Sequence, residues 1–173
     1  MKLKNRVAIV TGGGNGIGRE ICIGLSKEGA KIVIADLDKE NSSKVINDIK
    51  NVGSDAIVVE TDISNESSVD TLILETTKKF GKIDILINNA GIRHVKKLAN
   101  HNLKDWNDML SVNLTGPYIC SKAAIPEMKK VGKGKIINFG SIASFMGRPD
   151  RVGYVAAKSG VLGLTRALAI YLK

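Results

Sequence analysis

The sequence is poor in cysteine and histidine, with only 2 of each among its 173 residues. His94 and His101 have no ligand-like spacing and no cluster of cysteines or carboxylates beside them, so we expect no metal site. Cys22 and Cys120 stand in apolar, helix-like segments without a redox motif, which is typical of buried, reduced thiols. Free thiols of this kind indicate a cytoplasmic protein.

Aromatic residues and long apolar runs are also scarce. One Trp, three Tyr and three Phe leave few platforms on which nucleic-acid bases could stack. The lysines behind the net charge of +9 are scattered along the chain, so we interpret them as a solvated surface and expect no nucleic-acid partner. The apolar run Val7–Val10 is too short for a signal peptide or a membrane span, so no membrane partner is expected.

What the sequence does contain is a regular alternation of strand-like and helix-like segments. Short apolar runs predict strands over residues 6–11, 31–36, 56–60, 83–87 and 135–139. Helices are predicted between them, including a long helix over about 102–130 that Gly116-Pro117 perturbs and a last helix over 154–172. This alternation predicts an α/β protein with one domain over residues 1–173, built on a doubly wound parallel sheet with helices on both faces.

The first predicted strand runs directly into a glycine-rich loop with the spacing Gly12-x-x-x-Gly16-x-Gly18. Glycines allow a ligand to approach the backbone closely, and the start of the following helix favours a pyrophosphate. Asp36 ends the second predicted strand, where a carboxylate can accept hydrogen bonds from ribose hydroxyls and repel a 2′-phosphate. The pattern therefore favours NAD over NADP, although a glycine-rich turn and a capping carboxylate without any ligand would show the same residues.

A tyrosine and a lysine, Tyr154 and Lys158, lie one turn apart on one face of the last predicted helix. A free phenol loses its proton only near pH 10, so it works as a base at neutral pH only beside a cation. The pair predicts proton transfer to and from an alcohol or carbonyl oxygen, which Ser141 could hold in place. Tyr118 and Lys122 have the same spacing but no serine at the matching upstream position, so we interpret them as helix-surface or packing residues.

Taken together and in order, these residues resemble the short-chain dehydrogenase/reductase family over essentially the whole chain. The matching segments are Thr11-Gly12-x-x-x-Gly16-x-Gly18, Asp62-Ile63, Asn88-Asn89-Ala90-Gly91, Asn113, Ser141 and Tyr154-x-x-x-Lys158. The resemblance implies a Rossmann-like fold and an oxidoreductase that acts on CH–OH groups with a nicotinamide cofactor. It also implies a homo-oligomer, either a tetramer or a dimer.

The same resemblance assigns site residues. It implies four catalytic residues: Asn113, Ser141, Tyr154 and Lys158. It implies cofactor contacts from Gly12, Asn15, Gly16, Ile17, Gly18, Asp36, Asp62, Ile63, Asn89, Ala90, Gly91, Tyr154 and Lys158. Lys158 would contact the nicotinamide ribose, and Asn113 would hold a water that relays the proton.

The family pattern continues past a final helix such as the one over 154–172, into two further strands and a loop that covers the substrate. The resemblance therefore implies a C-terminally truncated chain that lacks the last strands of the family fold and leaves its fifth strand as an exposed edge. The leading hypothesis is an NAD-dependent oxidoreductase of secondary alcohols and ketones. The alternatives are an NADPH-dependent 3-oxoacyl-acyl-carrier-protein reductase and a catalytically silent NAD-binding fragment.

The identity of the small-molecule substrate cannot be read from the sequence. We expect specificity to lie in the loop after Gly91 and in residues 142–153, because binding residues concentrate on loops. Arg148 and Arg151 could meet an anionic substrate, and His94 could line its pocket. Exposed loop side chains of these types are more often simply solvated.

Overall fold

Five strands and six α-helices alternate in the computed structural model, which describes all residues from Met1 to Lys173. The strands are β1 Val7–Thr11, β2 Lys31–Asp36, β3 Ala56–Glu60, β4 Ile85–Asn88 and β5 Lys135–Asn138. The α-helices are α1 Gly16–Lys27, α2 Lys39–Asn51, α3 Glu66–Phe80, α4 Leu103–Leu110, α5 Gly116–Lys130 and α6 Val152–Tyr171. Short 3₁₀ turns occupy Leu98–Asn100 and Ile142–Ser144, and a π-helical turn, Ser111–Thr115, joins α4 to α5.

All five strands are parallel, and their order across the sheet is β3-β2-β1-β4-β5. Val10 in the central strand pairs with Ile34 on one side and with Ile87 on the other. Parallel order brings the carboxyl ends of the strands to one edge of the sheet, where open α/β folds bind their ligands. The predicted α/β class and Rossmann-like parallel sheet are confirmed.

Two apolar layers cover the faces of the sheet. Alternate residues of β1 point to opposite faces, so Val7 and Ile9 belong to one buried cluster while Ala8 and Val10 belong to the other. The first cluster is closed by side chains of α3 and α5, and the second by side chains of α1 and α2. Helices therefore pack on both faces, as the near-continuous apolar strands predict.

Polar caps set the helix boundaries. Asn15, Asp38, Asn65 and Asn102 precede α1, α2, α3 and α4, and each side chain accepts a backbone N–H in the first turn. Gly81 ends α3 in the left-handed conformation, with φ +76°. These signals explain why the predicted element boundaries lie within about two residues of the observed ones.

The helical stretch before α5 departs from the prediction. The disturbance expected at Gly116-Pro117 begins earlier, at Ser111, where the Gly116 N–H donates to the Ser111 carbonyl in a π-type hydrogen bond. Pro117 has no N–H to offer the carbonyl of Asn113, so regular α-helical pairing cannot pass through this point. The π-helical turn spans Asn113, a predicted catalytic residue.

Strand β5 lies at one edge of the sheet, as β3 does at the other. The exposed edge that the sequence leads us to expect at the fifth strand is present. Ile137 is 48% exposed there. No helix of the protein combines the length and the apolar character that crossing a membrane requires.

Candidate active site

The glycine-rich loop between β1 and α1 has the tight geometry that its spacing predicts. Gly12 and Gly16 have φ values of +64° and +50°, which side chains with a Cβ rarely adopt. A Cβ on Gly18 would overlap the Gly12 carbonyl oxygen and lie 2.7 Å from Nδ2 of Asn89. Gly18 therefore lies beneath the loop and permits its approach to β4.

An open cleft of about 550 Å³, which we call the glycine cleft, follows this loop along the carboxyl edge of the sheet. Ten of the sequence-predicted cofactor residues line it: Gly12, Asn15, Gly16, Ile17, Asp36, Asp62, Ile63, Asn89, Ala90 and Gly91. They come from the ends of four strands that are far apart in sequence. The fold thus gathers the predicted adenosine-side residues into one groove.

Asp36 stands at the rim of the glycine cleft with its carboxylate fixed by the backbone. Oδ2 accepts the Gly14 N–H at 2.9 Å and Oδ1 accepts the Asp38 N–H at 3.0 Å. A side chain on Gly14 would begin 3.0 Å from Asp36 Oδ2 and 2.6 Å from Ser42 Oγ. The rim is therefore closed to a larger residue at position 14, and the carboxylate keeps one orientation.

A buried hydroxyl, that of Thr11, holds the loop to the neighbouring strand; the sequence analysis included Thr11 in the glycine motif but gave it no role. Thr11 Oγ1 accepts the N–H groups of Asn89 and Ala90 at 3.1 and 3.0 Å, and donates to the Ile87 carbonyl at 3.3 Å. In return, Nδ2 of Asn89 donates to the carbonyls of Thr11 and Gly12. Its position as the one polar residue closing an apolar strand run is the signal for this role.

A second cleft of about 370 Å³, the tyrosine cleft, continues from the first. The two share four lining residues, Ile17, Asn89, Gly91 and Ile92. The remaining residues that line the tyrosine cleft are Arg93, Asn113, Phe139, Gly140, Tyr154 and Lys158. Three of the four predicted catalytic residues therefore meet at one end of the glycine cleft.

Lys158 is the buried cation of the tyrosine cleft, only 5% exposed. Its Nζ donates to the Phe139 carbonyl at 2.7 Å and lies 5.9 Å from the ring centre of Tyr154. Burial lowers the pKa of Lys158 because the ammonium loses hydration. A desolvated ammonium group thus lies beside the ring of Tyr154 in the tyrosine cleft.

Asn113 is fully buried in the π-helical turn and leaves one atom unpaired. Its Nδ2 donates to the carbonyls of Ile92 and Met109 at 2.9 and 3.0 Å, whereas Oδ1 has no hydrogen-bond partner in the protein. A Cβ on Gly91 would lie 2.7 Å from this oxygen and 3.8 Å from Lys158 Nζ. Gly91 therefore keeps open the space between a free acceptor and an ammonium donor.

Ser141 is the predicted catalytic residue that the structure does not bring into the lining of the tyrosine cleft. It caps the 3₁₀ turn after β5, and its Oγ accepts the Ala143 N–H at 3.1 Å. Its preceding neighbour Gly140 does line the cleft. Ser144 ties the same turn to α6 by donating to the Lys158 carbonyl at 2.8 Å. Ser141 Oγ still has its own proton to donate.

Other candidates lie outside the two clefts. Nδ1 of His94 is 3.4 Å from Oδ1 of Asp105, and its side chain is only one third exposed (33%), so it is neither a pocket wall nor a freely solvated histidine. Tyr118 is 46% exposed and Lys122 pairs with Glu66 at 3.3 Å, which agrees with their interpretation as surface residues. The sequence analysis did not single out the cleft positions 93, 139 and 140.

The geometry matches one family closely. The family model described as short chain dehydrogenase matches residues 6–173, which is nearly the whole sequence and includes both clefts. The chain belongs to the short-chain dehydrogenase family.

Proteins from several bacteria are similar to this chain along most of its length. An uncharacterized oxidoreductase of Thermotoga maritima is 41% identical over 98% of the chain and 66% of that protein. A 3-oxoacyl-[acyl-carrier-protein] reductase of Synechocystis sp. is 39% identical over 96% of the chain and 68% of that protein. A crystallised protein of Sinorhizobium meliloti, assigned as a short-chain alcohol dehydrogenase, superimposes with a TM-score of 0.95 at 33% identity, over 98% of this chain and 68% of its own. The chain thus spans about two thirds of the length of these relatives.

The residues of this short-chain dehydrogenase fit the nicotinamide dinucleotide that the family binds. The glycine loop leaves no Cβ between the start of α1 and a pyrophosphate, since Gly12 and Gly16 take left-handed geometry and Gly18 lies beneath them. The fixed carboxylate of Asp36 would accept hydrogen bonds from ribose hydroxyls at the rim of the glycine cleft. An unpaired oxygen on Asn113 and a buried ammonium on Lys158 belong to the lining of the tyrosine cleft.

Proposed function

We propose that the protein is an NAD-dependent oxidoreductase that transfers a hydride between nicotinamide and a secondary alcohol or ketone. The continuity of the glycine and tyrosine clefts carries this proposal, because Tyr154 lines a cleft that opens directly into the one formed by the glycine loop. We assign the cofactor contacts to the ten predicted residues that line the glycine cleft, together with Gly18, Tyr154 and Lys158. We assign the catalytic roles to Asn113, Ser141, Tyr154 and Lys158.

The bound dinucleotide supplies the hydride acceptor in oxidation and the hydride donor in reduction. During oxidation, Oη of Tyr154 takes the proton of the substrate hydroxyl, and during reduction it returns a proton to the carbonyl oxygen. The Lys158 ammonium stabilises the phenolate between these events. Ser141 donates its hydroxyl proton to the substrate oxygen, and Asn113 Oδ1 accepts from a water that connects Lys158 to solvent.

The experiment that tests the proposal is the substitution Tyr154→Phe. Removing a general acid–base group should lower kcat by about 10²- to 10⁴-fold, while the Kd for NAD stays within about twofold because the ring remains. Steady-state NADH absorbance and calorimetric NAD titration measure the two quantities. Tyr118→Phe, which alters the exposed tyrosine with the same spacing to a lysine, is the matched control and should change neither quantity. A Tyr154→Phe enzyme with undiminished turnover would exclude the proposed role.

We propose NAD rather than NADP as the cofactor because the Asp36 carboxylate is held at the ribose end of the glycine cleft. A 2′-phosphate placed there would meet like charge at short range, which costs on the order of tenfold in affinity or more. Asp36→Ala should therefore strengthen NADP binding and weaken NAD binding, measured as the ratio of the two Kd values. A wild-type protein that already prefers NADP would contradict this assignment.

Experiment distinguishes two alternative functions, of which the first has specific support. Relatives named as 3-oxoacyl-[acyl-carrier-protein] reductases, from Synechocystis sp. and Staphylococcus aureus, are 39% and 36% identical to the chain. Oxidation of NADPH with acetoacetyl-coenzyme A, faster than any NAD-linked reaction, would favour that activity. A silent NAD-binding module is favoured instead if NAD binds tightly, no alcohol is oxidised, and Tyr154→Phe has no effect.

We further propose that residues 1–173 act as one dinucleotide-binding and catalytic domain in a cytoplasmic homo-oligomer. The family resemblance supports an oligomer, and two free, buried thiols at Cys22 and Cys120 support a reducing compartment. Sedimentation velocity of the purified protein measures the oligomeric state directly.

A further inference from the structure

The tyrosine cleft contains a cation that the proposed chemistry does not use. Arg93 follows Gly91 by two residues, and it lines this cleft together with Tyr154 and Lys158. It is not among the residues that line the glycine cleft. Arg93 therefore lies at the end where the substrate would react rather than the end where adenosine and the pyrophosphate would lie.

Arg93 has no anionic partner in the protein. No Asp or Glu lines the tyrosine cleft, so its only ionisable neighbours there are Tyr154 and Lys158. Two carboxylates on neighbouring segments are already paired: Asp105 in the first turn of α4 with Lys96 at 2.6 Å, and Asp150 with Arg151 at 3.6 Å. The five N–H donors of the Arg93 guanidinium are left without a salt bridge or a side-chain hydrogen bond.

The other cations around the site are less suited to a ligand. Lys158 donates to the Phe139 carbonyl and serves the phenol of Tyr154. Arg151 lies against Asp150, and Arg148 is an exposed residue that does not line the cleft. Arg93 is the one unpaired guanidinium that shares a cavity with the proposed catalytic tyrosine.

We propose that Arg93 binds a carboxylate of the substrate, so that the alcohol or ketone on which the protein acts is a small hydroxy or oxo acid. This inference rests on the proposed function and adds the substrate class to it. A guanidinium matches a carboxylate with two parallel N–H···O bonds, which fixes distance and orientation as well as charge. Anchoring the acid group at Arg93 holds the carbon that reacts against Tyr154. A cleft of about 370 Å³ that also receives the nicotinamide leaves room for a short carbon chain.

The test uses two probes that cannot be oxidised, butyrate and butyramide, which share a carbon skeleton and differ in charge. Each is titrated by ligand-observed NMR into the full chain in the presence of saturating NAD. Wild-type protein should bind butyrate more tightly than butyramide. Arg93→Gln should weaken butyrate by roughly tenfold, as expected for a lost charged hydrogen-bonded pair, and leave both butyramide and NAD unchanged.

Lys97→Gln is the matched control, because it removes the same charge from the same loop at a residue that lines neither cleft. It should leave butyrate binding unchanged. Equal binding of the two probes to the wild type would overturn the proposal. A loss of butyrate affinity in Lys97→Gln as large as that in Arg93→Gln would also overturn it, because it would indicate only a general positive charge on the surface. A loss of NAD affinity in Arg93→Gln would reassign Arg93 to the cofactor. Failure of the wild type to bind NAD at all would count instead against the proposed function.

Discussion

The absence of a Cβ atom at Gly18 allows the glycine loop to pack against the start of α1. Because a Cβ on Gly18 would overlap the Gly12 carbonyl oxygen, Gly18→Ala must push the loop away from β4. We expect this variant to bind NAD at least about tenfold more weakly, since a displaced loop misaligns the N–H groups that meet the pyrophosphate. Isothermal titration of NAD measures the loss.

Gly24→Ala supplies the control within the same helix. A Cβ at Gly24 meets nothing within 4 Å, so alanine there should stabilise α1 by up to about 1 kcal/mol and leave NAD affinity unchanged. Equal effects of the two substitutions on NAD binding would show that helix propensity, not loop clearance, is what matters.

Individual residues differ in how far the sequence could predict them. Gly12, Asp36, Tyr154 and Lys158 follow from spacing, because a glycine loop, a strand end and one helical turn each have fixed geometry. Arg93 lies in an irregular loop where no period relates sequence position to side-chain direction. Its place in the tyrosine cleft therefore emerges only from the folded chain.

At the scale of elements, the start of β1 is fastened by one buried carboxylate. Asp84, just before β4, accepts Arg6 Nη1 at 2.6 Å and the Val7 N–H at 2.9 Å, with Lys82 Nζ also at 2.9 Å. Burial alone would raise the pKa of Asp84, but these donors outweigh it and hold the pKa below its usual range. Asp84→Asn should cost about 1–3 kcal/mol of unfolding free energy at neutral pH, measured by urea denaturation.

The pH dependence of this effect has a definite sign. A carboxyl whose folded pKa is lowered contributes its full stabilisation above its unfolded pKa of about 4, and loses it as the pH falls through the folded value. The difference between wild type and Asp84→Asn should therefore shrink below about pH 4. Asp55→Asn, at a half-exposed residue 3.7 Å from Lys79, should change stability by less than about 1 kcal/mol. A difference for Asp84→Asn that is constant with pH would argue against this account.

The sequence predicts the order of elements well because apolar runs, caps and glycines are local signals. The π-helical turn at Ser111–Thr115 is different. Pro117 predicts that regular α-helical hydrogen bonding is interrupted, because proline has no N–H. It does not predict at which residue the wider π-helical turn begins. That position is settled by tertiary contacts such as the hydrogen bond from Asn113 to the Ile92 carbonyl.

At the scale of the whole molecule, the exposed apolar edge at β5 is a surface open to unwanted association. Ile137 is 48% exposed on an edge strand, where unpaired backbone groups and apolar side chains invite pairing between chains. Ile137→Lys should reduce light scattering at high protein concentration without changing NAD affinity. Leu74→Lys, at a 62% exposed residue on α3 away from any strand, should have little effect. Equal scattering from wild type and Ile137→Lys would show that the edge is not the associating surface.

The parallel sheet itself follows from the alternation of segments, since parallel strands need helical crossovers. The strand order β3-β2-β1-β4-β5 cannot be predicted in this way, because the local sequence pattern does not indicate which strands pair with each other. The Rossmann-like arrangement is implied only by the resemblance to a known family.

The two clefts draw on separate stretches of chain. The glycine cleft is formed by strand ends and loops from Gly12 to Ile92, together with Val112, whereas the rest of the tyrosine cleft comes from Arg93 to Lys158. A molecule lying across both acts as a removable cross-link between the early and late parts of the fold. A bound ligand of this kind therefore stabilises the folded protein, because it must dissociate before the two parts of the fold can separate. The midpoint of thermal unfolding should rise with ligand concentration.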